Sequence, residues 1–316
     1  MKQVTDKDVA IIILNWNAYD DTFECLKSLE HLTYPYFHVF LVDNASQDNS
    51  FDKLRQDYKD GKFNVPITFI QTGKNLGFAG GNNVAIREAY NQGYQYFWML
   101  NNDTVVDPNA LTPLVEVLEK EEKVGIVGSK IYYYGTNKIW FAGGRINTWT
   151  GVAWHIGMNK DDIGQFENIK DDVDYITGCS LFFRREIIEQ IGYMEEDYFL
   201  YYEETDLNIR ASKMGWKIKI VPRSIVFHKV SLSSGGTENL APYVLYYRIR
   251  NSLLLIKKTQ NKYKILISRV YVLVVILKQL LKIFIKNHNF KIKRIQYLLL
   301  GYIHGITEIS GKHPVV

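Results

Sequence analysis

The sequence predicts an α/β protein with a doubly wound, mostly parallel, Rossmann-like sheet, followed by a basic helical tail. Short apolar runs alternate four times with segments of helical spacing within residues 9–120, which is the pattern of repeated strand–helix units. Three of the four apolar runs end in clusters of Asn and Asp. Because ligands bind outside the carboxyl ends of the strands in such sheets, these clusters predict the position of a site.

Each strand of the first half is predicted from a continuous apolar run, which is typical of a strand buried on both faces. The four runs are residues 9–17, 38–42, 65–72 and 96–100. The segments that follow them have helical spacing and are predicted as helices at 20–31, 50–58, 85–91 and 108–120. Pro108 lies near the start of the last helix, where proline is tolerated.

The second half is predicted to contain short strands and two further helices. Residues 125–154 are rich in Gly, Tyr and Trp and indicate short β segments. A strand within 174–185 enters a helix at 185–191, and a second helix at 203–214 stops at Gly215. Residues 216–228 are predicted as a strand pair or one bent strand.

Composition indicates a folded globular protein of one large or two modest domains. The chain has 316 residues, 47% of them hydrophobic and 23% charged. Two cysteines give no disulfide framework, so a reducing compartment fits best. The first apolar run is short and follows acidic residues, so the N-terminus does not have the pattern of a signal peptide.

The tail is basic. Residues 239–307 contain 13 Lys and Arg and no Asp or Glu, while the whole chain has a net charge of +4. Within 264–286, Lys278, Lys282 and Lys286 recur every four residues, which on a helix places them beside a broad apolar face. Because lysines interrupt the apolar sequence, no uninterrupted apolar run here is long enough to span a membrane. This pattern predicts a helix lying on an anionic membrane surface. The alternative is a helix packed on the catalytic body or on a second copy in a homodimer. Nucleic acid is disfavoured, because the basic residues alternate with long aliphatic ones.

Four residues, at three places in the chain, are of types suited to catalysis. Asp103, in a turn after an apolar run, is a candidate ligand for Mg²⁺ or Mn²⁺, which prefer oxygen; an Asx turn is the alternative. Glu203 and Glu204 open a helix, where a carboxylate stays ionised and can act as a general base; simple charge matching is the alternative. His228 ends an apolar strand and is either a metal ligand or a core residue.

Five motifs, taken in order, resemble one family. They are ILNWN, VDNASQD, NLGFAGGNN, LNND and the stretch from GCSLFFRR to YYEETDLNIRASKMGW. Together they are similar to those of the family 2 inverting glycosyltransferases, in the subgroup of rhamnosyltransferases of bacterial surface polysaccharides. The resemblance covers about residues 8–250. It implies the GT-A fold, with residues 1–124 binding the nucleotide sugar, 125–238 binding the acceptor and 239–316 forming the amphipathic helical region.

The resemblance also implies the roles of individual residues. The donor would be a nucleoside-diphosphate sugar, dTDP-rhamnose or a UDP-sugar, and the acceptor a glycan or a lipid-linked sugar. Asp103 and His228 would hold the divalent cation, with Asn101 standing where the family has the first Asp of its DxD motif. The residues implied to bind the donor or its nucleotide are Asn15, Asn17, Asp43, Asn44, Asn75, Gly77, Asn82, Asn83, Asn102 and Asp103.

Glu204 aligns with the family's usual base, with Glu203 as the alternative, although the family usually has Glu-Asp here. For the acceptor, the resemblance implies contacts at Asp174 and Gly178. Trp140 and Tyr202 are aromatic residues suited to stacking on an acceptor sugar, with core or loop packing as the alternative for each. We expect a cytoplasmic enzyme, peripheral at the inner face of the membrane. Two other functions are alternatives for this sequence: a sugar nucleotidyltransferase and a binding subunit without activity. A sugar nucleotidyltransferase would carry a Gly- and Arg-containing loop after the first strand, which is missing. A glycosyltransferase-like subunit that binds sugars without turnover is consistent with Asn101 and Glu204, where the family usually has Asp.

Overall fold

A nine-stranded sheet forms the centre of the structure, which is a computed structural model. It describes residues 4–5, 7–169, 173–230, 241–285 and 290–313. The strands are, in chain order, β1 (Val9–Asn15), β2 (Phe37–Asp43), β3 (Ile67–Gln71), β4 (Tyr96–Asn101), β5 (Thr104–Val106), β6 (Val124–Tyr133), β7 (Ile139–Phe141), β8 (Gly144–Asn147), β9 (Val152–His155), β10 (Ser180–Arg184) and β11 (Lys217–His228). The helices are α1 (Tyr19–Leu29), α2 (Ser50–Lys59), α3 (Gly77–Asn91), α4 (Leu111–Lys120), α5 (Arg185–Ile191), α6 (Glu203–Lys213), α7 (Pro242–Thr259), α8 (Lys262–Ile285) and α9 (Lys291–Thr307).

The sheet is mostly parallel, as the sequence predicts. Its order is β3-β2-β1-β4-β10-β6-β11-β5, with β7 paired to β6, while β8 and β9 form a separate hairpin. Strands β1, β2, β3, β4, β6 and β11 run in one direction, and β5, β7 and β10 run in the other. Asn15 pairs in register with Asp43, and Leu14 pairs with Asn101. The three polar strand ends therefore meet at one edge of the sheet.

The central strands form where the sequence is apolar at every position. The side chains of β1 from Val9 to Ile13 and of β2 from Val39 to Val42 are fully buried. This continuous burial explains why the apolar runs show no alternation. The prediction of one bent strand at 216–228 is confirmed, because β11 runs unbroken with a register shift between Val221 and Ile225.

Helix α3 begins earlier than its predicted start at residue 85. The glycine- and asparagine-rich stretch is helical from Gly77 because two side-chain amides satisfy its first backbone groups. The Oδ1 atom of Asn44 accepts from the N–H of Leu76 at 2.9 Å, and Oδ1 of Asn75 accepts from the N–H of Gly77 at 2.9 Å. Such capping offsets the poor helix propensity of glycine.

The C-terminal helices pack on one another and on the body. Ile249, Val272 and Leu298 share one apolar cluster across α7, α8 and α9. Leu255 of α7 packs against Tyr198, which precedes the predicted domain boundary at 238/239. That boundary stays a prediction. Within the part of the chain that the structure describes, no helix is long and apolar enough to cross a membrane.

Candidate active site

The ends of β1 and β2 are joined by a buried polar network. Asn15 is fully buried, and its Nδ2 donates to Oδ1 of Asp43 at 2.7 Å and to the Ser50 hydroxyl at 2.9 Å. Its Oδ1 accepts from the Thr22 hydroxyl at 2.8 Å. Asp43, equally buried, also accepts from Nε2 of Gln71 at 2.9 Å. Buried polar atoms need such partners, so these two residues fix the geometry of the crevice edge.

The other residues implied for the donor lie at or near this edge. Asn17 has a left-handed backbone (φ 51°), and its Oδ1 accepts from the N–H of Gln47 at 2.7 Å. Asn44 donates through Nδ2 to the carbonyl of Gly77 at 3.1 Å and to Oδ1 of Asn75 at 3.2 Å. The loop before α3 is therefore tied directly to the end of β2.

Two further predicted donor residues lie on α3 and bond within the protein. Asn82 donates through Nδ2 to the carbonyl of Phe78 at 2.9 Å. Asn83 donates to the carbonyl of Met194 and to Oε1 of Glu196, each at 2.9 Å. Both asparagines are buried. In the structure, Asn83 joins α3 to the segment that leads toward the predicted base.

Asp103 and His228 meet at the ends of neighbouring elements. Oδ1 of Asp103 lies 3.1 Å from Nε2 of His228, and both side chains are buried. The pairing of β5 with β11 brings them together, and the N–H of Lys229 donates to the carbonyl of Asp103 at 2.9 Å. The Trp140 ring stands edge-on to the His228 ring, 4.4 Å between centroids. Asn102, also predicted for the donor, donates to the Thr22 hydroxyl at 2.8 Å.

The Asp103–His228 pair fits a hard divalent cation. Two neighbouring ligands of an octahedral ion at roughly 2.1 Å are about 3 Å apart, which matches the observed separation. Nδ1 of His228 is buried and has no hydrogen-bond partner among the described residues. No group of three or more His, Cys, Asp or Glu side chains able to hold a metal occurs in the described ranges. Two protein ligands plus substrate phosphates are common for Mg²⁺.

Charge around His228 favours its protonated form when no cation is bound. Burial lowers the pKa of His228, but the Cys179 thiol and the Asp103 carboxylate outweigh this and raise the pKa to about 10. A cation and this proton would compete for the same pair of side chains.

Glu203 and Glu204 begin α6 in different surroundings. Glu203 is only 2% exposed, and its Oε2 has no hydrogen-bond partner within the described residues. Burial and then the neighbouring Glu204 charge hold the pKa of Glu203 well above its ordinary value. Burial also raises the pKa of Glu204, but the backbone N–H groups of Gly178 and Thr205 oppose it. Hydrogen bonds to a carboxylate favour its charged form, and backbone groups of Glu203 and Tyr201 act in this way on Glu203 too. The two carboxylates therefore differ in the buried Oε2 of Glu203, which has no hydrogen-bond partner among the described residues.

The segment Gly178–Cys179 connects this carboxylate to the Asp103–His228 pair. The N–H of Gly178 acts on the Glu204 carboxylate, and a Cβ at Gly178 would lie 3.9 Å from the Glu204 Cβ. Burial raises the pKa of Cys179, and the charges of His228 and Asp103 also act on this thiol. Since consecutive Cα atoms are about 3.8 Å apart, the predicted base and the predicted metal ligands converge on one place.

The loop before Glu203 has an unusual backbone. Phe199, Tyr201 and Tyr202 have φ values of 64°, 69° and 78°. Non-glycine residues in this left-handed region cost roughly 1–3 kcal/mol each and persist only when other contacts hold them. The N–H of Phe78 donates to the carbonyl of Phe199 at 2.7 Å, which is one such contact.

A second set of contacts comes from α7, and sequence reasoning missed it. Nδ2 of Asn251 donates to the carbonyls of Tyr198, Leu200 and Tyr201 at 3.0, 2.8 and 2.9 Å. The guanidinium of Arg250 donates to the carbonyl of Tyr198 at 2.7 Å. Both side chains are fully buried. We call Arg250 and Asn251 the loop clamp; two adjacent polar residues inside an apolar helical stretch were the available signal.

The residues implied to contact the acceptor separate into two groups. In the first group, Trp140 lies beside His228, Gly178 lies beside Glu204, and Tyr202 immediately precedes α6. Asp174 instead accepts from the N–H of Ile146 at 2.8 Å and supports the β8–β9 hairpin. The structure therefore assigns Asp174 a local bonding partner, while its part in acceptor binding stays a prediction.

This fold is the GT-A fold of glycosyltransferases, as solved structures confirm. A mannosyltransferase from Pyrobaculum calidifontis in complex with GDP-Man and Mn²⁺ is similar with a TM-score of 0.59 and 14% identity, covering 95% of this chain and 87% of its own. TarS of S. aureus in complex with UDP-GlcNAc is similar with a TM-score of 0.55 and 14% identity, covering 84% and 71%.

Residues 10–192 match the model of glycosyl transferase family 2, and the chain belongs to this family. A low-salt glycan biosynthesis hexosyltransferase of Haloferax volcanii is 26% identical over 99% of this chain and 95% of its own length. An N-acetylglucosaminyl-diphospho-decaprenol L-rhamnosyltransferase of Mycobacterium tuberculosis is 25% identical over 66% of this chain and 72% of its own. The protein is therefore a glycosyltransferase, and the predicted family and fold class are confirmed.

Proposed function

We propose that the protein transfers L-rhamnose from dTDP-rhamnose to a lipid-linked sugar in the synthesis of a surface polysaccharide. The motif resemblance and the mycobacterial relative, whose name states an L-rhamnosyltransferase acting on N-acetylglucosaminyl-diphospho-decaprenol, support this donor and acceptor. A UDP-sugar donor is the second candidate, because the similar TarS structure holds UDP-GlcNAc.

One observation carries the proposal. Adjacent residues Gly178 and Cys179 join the Glu204 carboxylate to the Asp103–His228 pair. A Cβ at Gly178 would lie 3.9 Å from the Glu204 Cβ, and we infer that one sugar bound here contacts both groups.

Asp103 and His228 would hold a divalent cation, Mn²⁺ or Mg²⁺. Such a cation would neutralise the charge that develops on the leaving nucleoside diphosphate. Glu204 takes the proton from the acceptor hydroxyl. The acceptor oxygen forms its bond to the anomeric carbon on the face opposite the diphosphate. The bond to the diphosphate breaks with its electron pair, so the configuration inverts.

The basic tail supports a peripheral membrane position for this reaction. On α8, Leu266, Val270, Leu277 and Leu281 are spaced four and seven residues apart and are each more than half exposed. Lys278 and Lys282, both exposed, lie beside this stripe. Apolar side chains next to lysines suit the interface of an anionic bilayer. Lys286, the last of the three lysines that recur every four residues, lies outside the described residues.

The test separates donor binding from transfer. In Glu204→Gln, we expect turnover to fall by about 10²–10⁴-fold, the usual contribution of a positioned base, with an unchanged Kd for the donor. In Asp103→Asn, we expect donor binding to lose its dependence on Mn²⁺. Glu186→Gln, at the exposed first turn of α5, is the matched control. Full turnover in purified Glu204→Gln would remove the base from the mechanism.

A further inference from the structure

Arg248 is an exposed arginine on α7, next to the loop clamp. In the described part of the chain, its guanidinium makes no hydrogen bond and no ion pair. Its neighbour Arg250, by contrast, is fully buried and bonded to backbone carbonyls. The two arginines therefore have different roles, and Arg248 is available to a ligand.

The helix geometry turns Arg248 toward the acceptor side of the site. Asn251 and Ser252 follow it by three and four residues, so the three side chains share one face of α7. Asn251 bonds the carbonyl of Tyr201 in the loop before the base. The backbone of Ser252 lies against the β8–β9 hairpin, where a Cβ at Gly151 would meet its carbonyl at 2.8 Å.

The charge of Arg248 reaches the same aromatic side chains as the charge of the predicted base. Burial raises the pKa of Tyr202 to about 12, with Glu204 acting in the same direction and Arg248 in the opposite one. Burial also raises the pKa values of Tyr175 and Tyr201, on which the same two charges act. A carboxylate and a guanidinium thus flank one set of tyrosines.

This aromatic set continues onto the exposed face of α8. Tyr271 is 37% exposed, and its hydroxyl acts on that of Tyr202. Tyr271 and Lys278 are seven residues apart and share one side of α8, next to the stripe of exposed leucines and valine described above. The acceptor side of the site therefore opens toward an apolar surface with lysines beside it.

A sugar joined to a lipid through phosphate matches these features in order. Its reacting hydroxyl belongs at Glu204, its ring among the tyrosines, its phosphate at Arg248 and its lipid along α8. Arginine is well suited to phosphate, because its planar guanidinium can donate two parallel hydrogen bonds. A free glycan, by contrast, carries no phosphate that Arg248 could bind.

We propose that Arg248 binds a phosphate of the acceptor and selects acceptors in which phosphate links the sugar to a lipid. This inference rests on the proposed function, because it assumes that Glu204 marks the acceptor hydroxyl. The donor diphosphate is the other source of phosphate, and the experiment tests it separately.

The experiment compares Arg248→Gln with the wild-type full chain on two acceptors. One acceptor is N-acetylglucosamine 1-diphosphate carrying a short isoprenyl chain, and the other is an alkyl N-acetylglucosaminide without phosphate. For Arg248→Gln we expect KM for the diphosphate acceptor to rise roughly 10- to 100-fold, as for the loss of one charge-assisted contact. KM for the alkyl glycoside and the Kd of dTDP-rhamnose stay unchanged. Arg248→Lys recovers part of the loss.

Arg55→Gln, an exposed arginine of α2, is the matched control and leaves all three constants unchanged. An equal effect of Arg248→Gln on both acceptors, or a weakened donor Kd, would overturn the inference and leave the proposed function standing. If the wild-type enzyme modifies neither acceptor with any nucleoside-diphosphate sugar, the proposed function itself fails. An unfolding temperature of Arg248→Gln equal to that of the wild type shows that the variant is folded.

Discussion

Two adjacent glutamates show how surroundings, rather than residue type, assign a role. Backbone groups act on both carboxylates, but Oε2 of Glu203 has no hydrogen-bond partner among the described residues. A buried carboxylate oxygen without a partner makes the ionised form costly. For this reason we propose Glu204, rather than Glu203, as the base, a choice that the sequence leaves open.

The buried Glu203 predicts a dependence of stability on pH. An unfolded Glu has a pKa of about 4.3, and the folded pKa of Glu203 is higher because of burial and of Glu204. The folded state therefore holds the proton more tightly. This contribution to stability is full below about pH 4 and is lost as the pH rises through the folded pKa.

Glu203→Gln cannot ionise at this position. We therefore expect the unfolding temperature of the variant, minus that of the wild type, to increase as the pH rises from 5 to 8. A gain of about 2–4 °C corresponds to ~1 kcal/mol in a large domain. Calorimetry or fluorescence unfolding across this range measures it, with Glu186→Gln as the control. A difference that is the same at every pH would contradict the assignment of a raised pKa.

At the scale of elements, a helix far along the chain holds the loop before the predicted base. The clamp residues of α7 bond the carbonyls of the strained loop before α6. Because that loop adopts left-handed conformations at three non-glycine residues, its shape depends on these bonds. Helix α7 therefore shapes the loop that precedes the predicted base, although none of its residues was predicted for the site.

Asn251→Ala is expected to lower kcat by about tenfold or more while the donor Kd stays the same, because misplacement of a base costs turnover rather than donor binding. Stability should fall by about 1–3 kcal/mol as buried carbonyls lose their partner. Kinetics, donor titration and unfolding measure the three effects.

Thr259→Ala is the matched control, since Thr259 is buried on the same helix and its hydroxyl donates to the carbonyl of Leu255 at 2.6 Å and accepts from Nε2 of Gln260 at 3.3 Å, rather than bonding the loop before α6. It should lose stability without the fall in kcat. Asn251→Asp keeps the size but loses the donor N–H groups, so it should behave like Asn251→Ala. Equal kcat losses in Thr259→Ala and Asn251→Ala would show a general packing effect instead.

At the scale of the whole molecule, the C-terminal helical region has a packed inner side and an exposed outer side. Its inner residues form an apolar cluster with the rest of the tail, and α7 packs on the body. The outer residues of α8 remain exposed. Lys264, the first residue of the basic segment 264–286, donates to the Thr148 hydroxyl at 2.9 Å. Both interpretations offered by the sequence, packing on the body and lying on a membrane, are compatible with this arrangement.

Membrane binding is tested with the full chain and vesicles rich in anionic lipid. In Lys278→Glu/Lys282→Glu, we expect binding to weaken by at least tenfold at low salt, since each basic residue near the surface contributes ~1 kcal/mol. In Leu266→Glu/Leu281→Glu, binding should also be lost. Ile163→Glu, a substitution at an 86% exposed residue away from α8, is the control. Vesicle sedimentation measures these effects.

Variants that sediment like the wild type would refute the membrane proposal. If they instead convert a dimer to a monomer in size-exclusion chromatography, the exposed face of α8 joins two copies of the chain.

The sequence by itself determined the sheet and much of the site's composition. Continuous apolar runs specify buried parallel strands, and parallel strands place their carboxyl ends at one edge, so Asn15, Asp43 and Asn101 were predictable neighbours. Local patterns also predicted a helix start at Glu203 and either a strand pair or one bent strand at 216–228, of which the structure has the single strand β11.

Only the tertiary structure decided which of these residues touch and which distant ones support them. The contact of Asp103 with His228 spans 125 positions, and the clamp on the loop before the base comes from α7. Local spacing encodes strand and helix periodicity, but it does not encode which buried polar atoms find each other. That depends on how the sheet curls and how α7 packs back on it, and the same packing sets the burial that makes Glu203 and Glu204 chemically different.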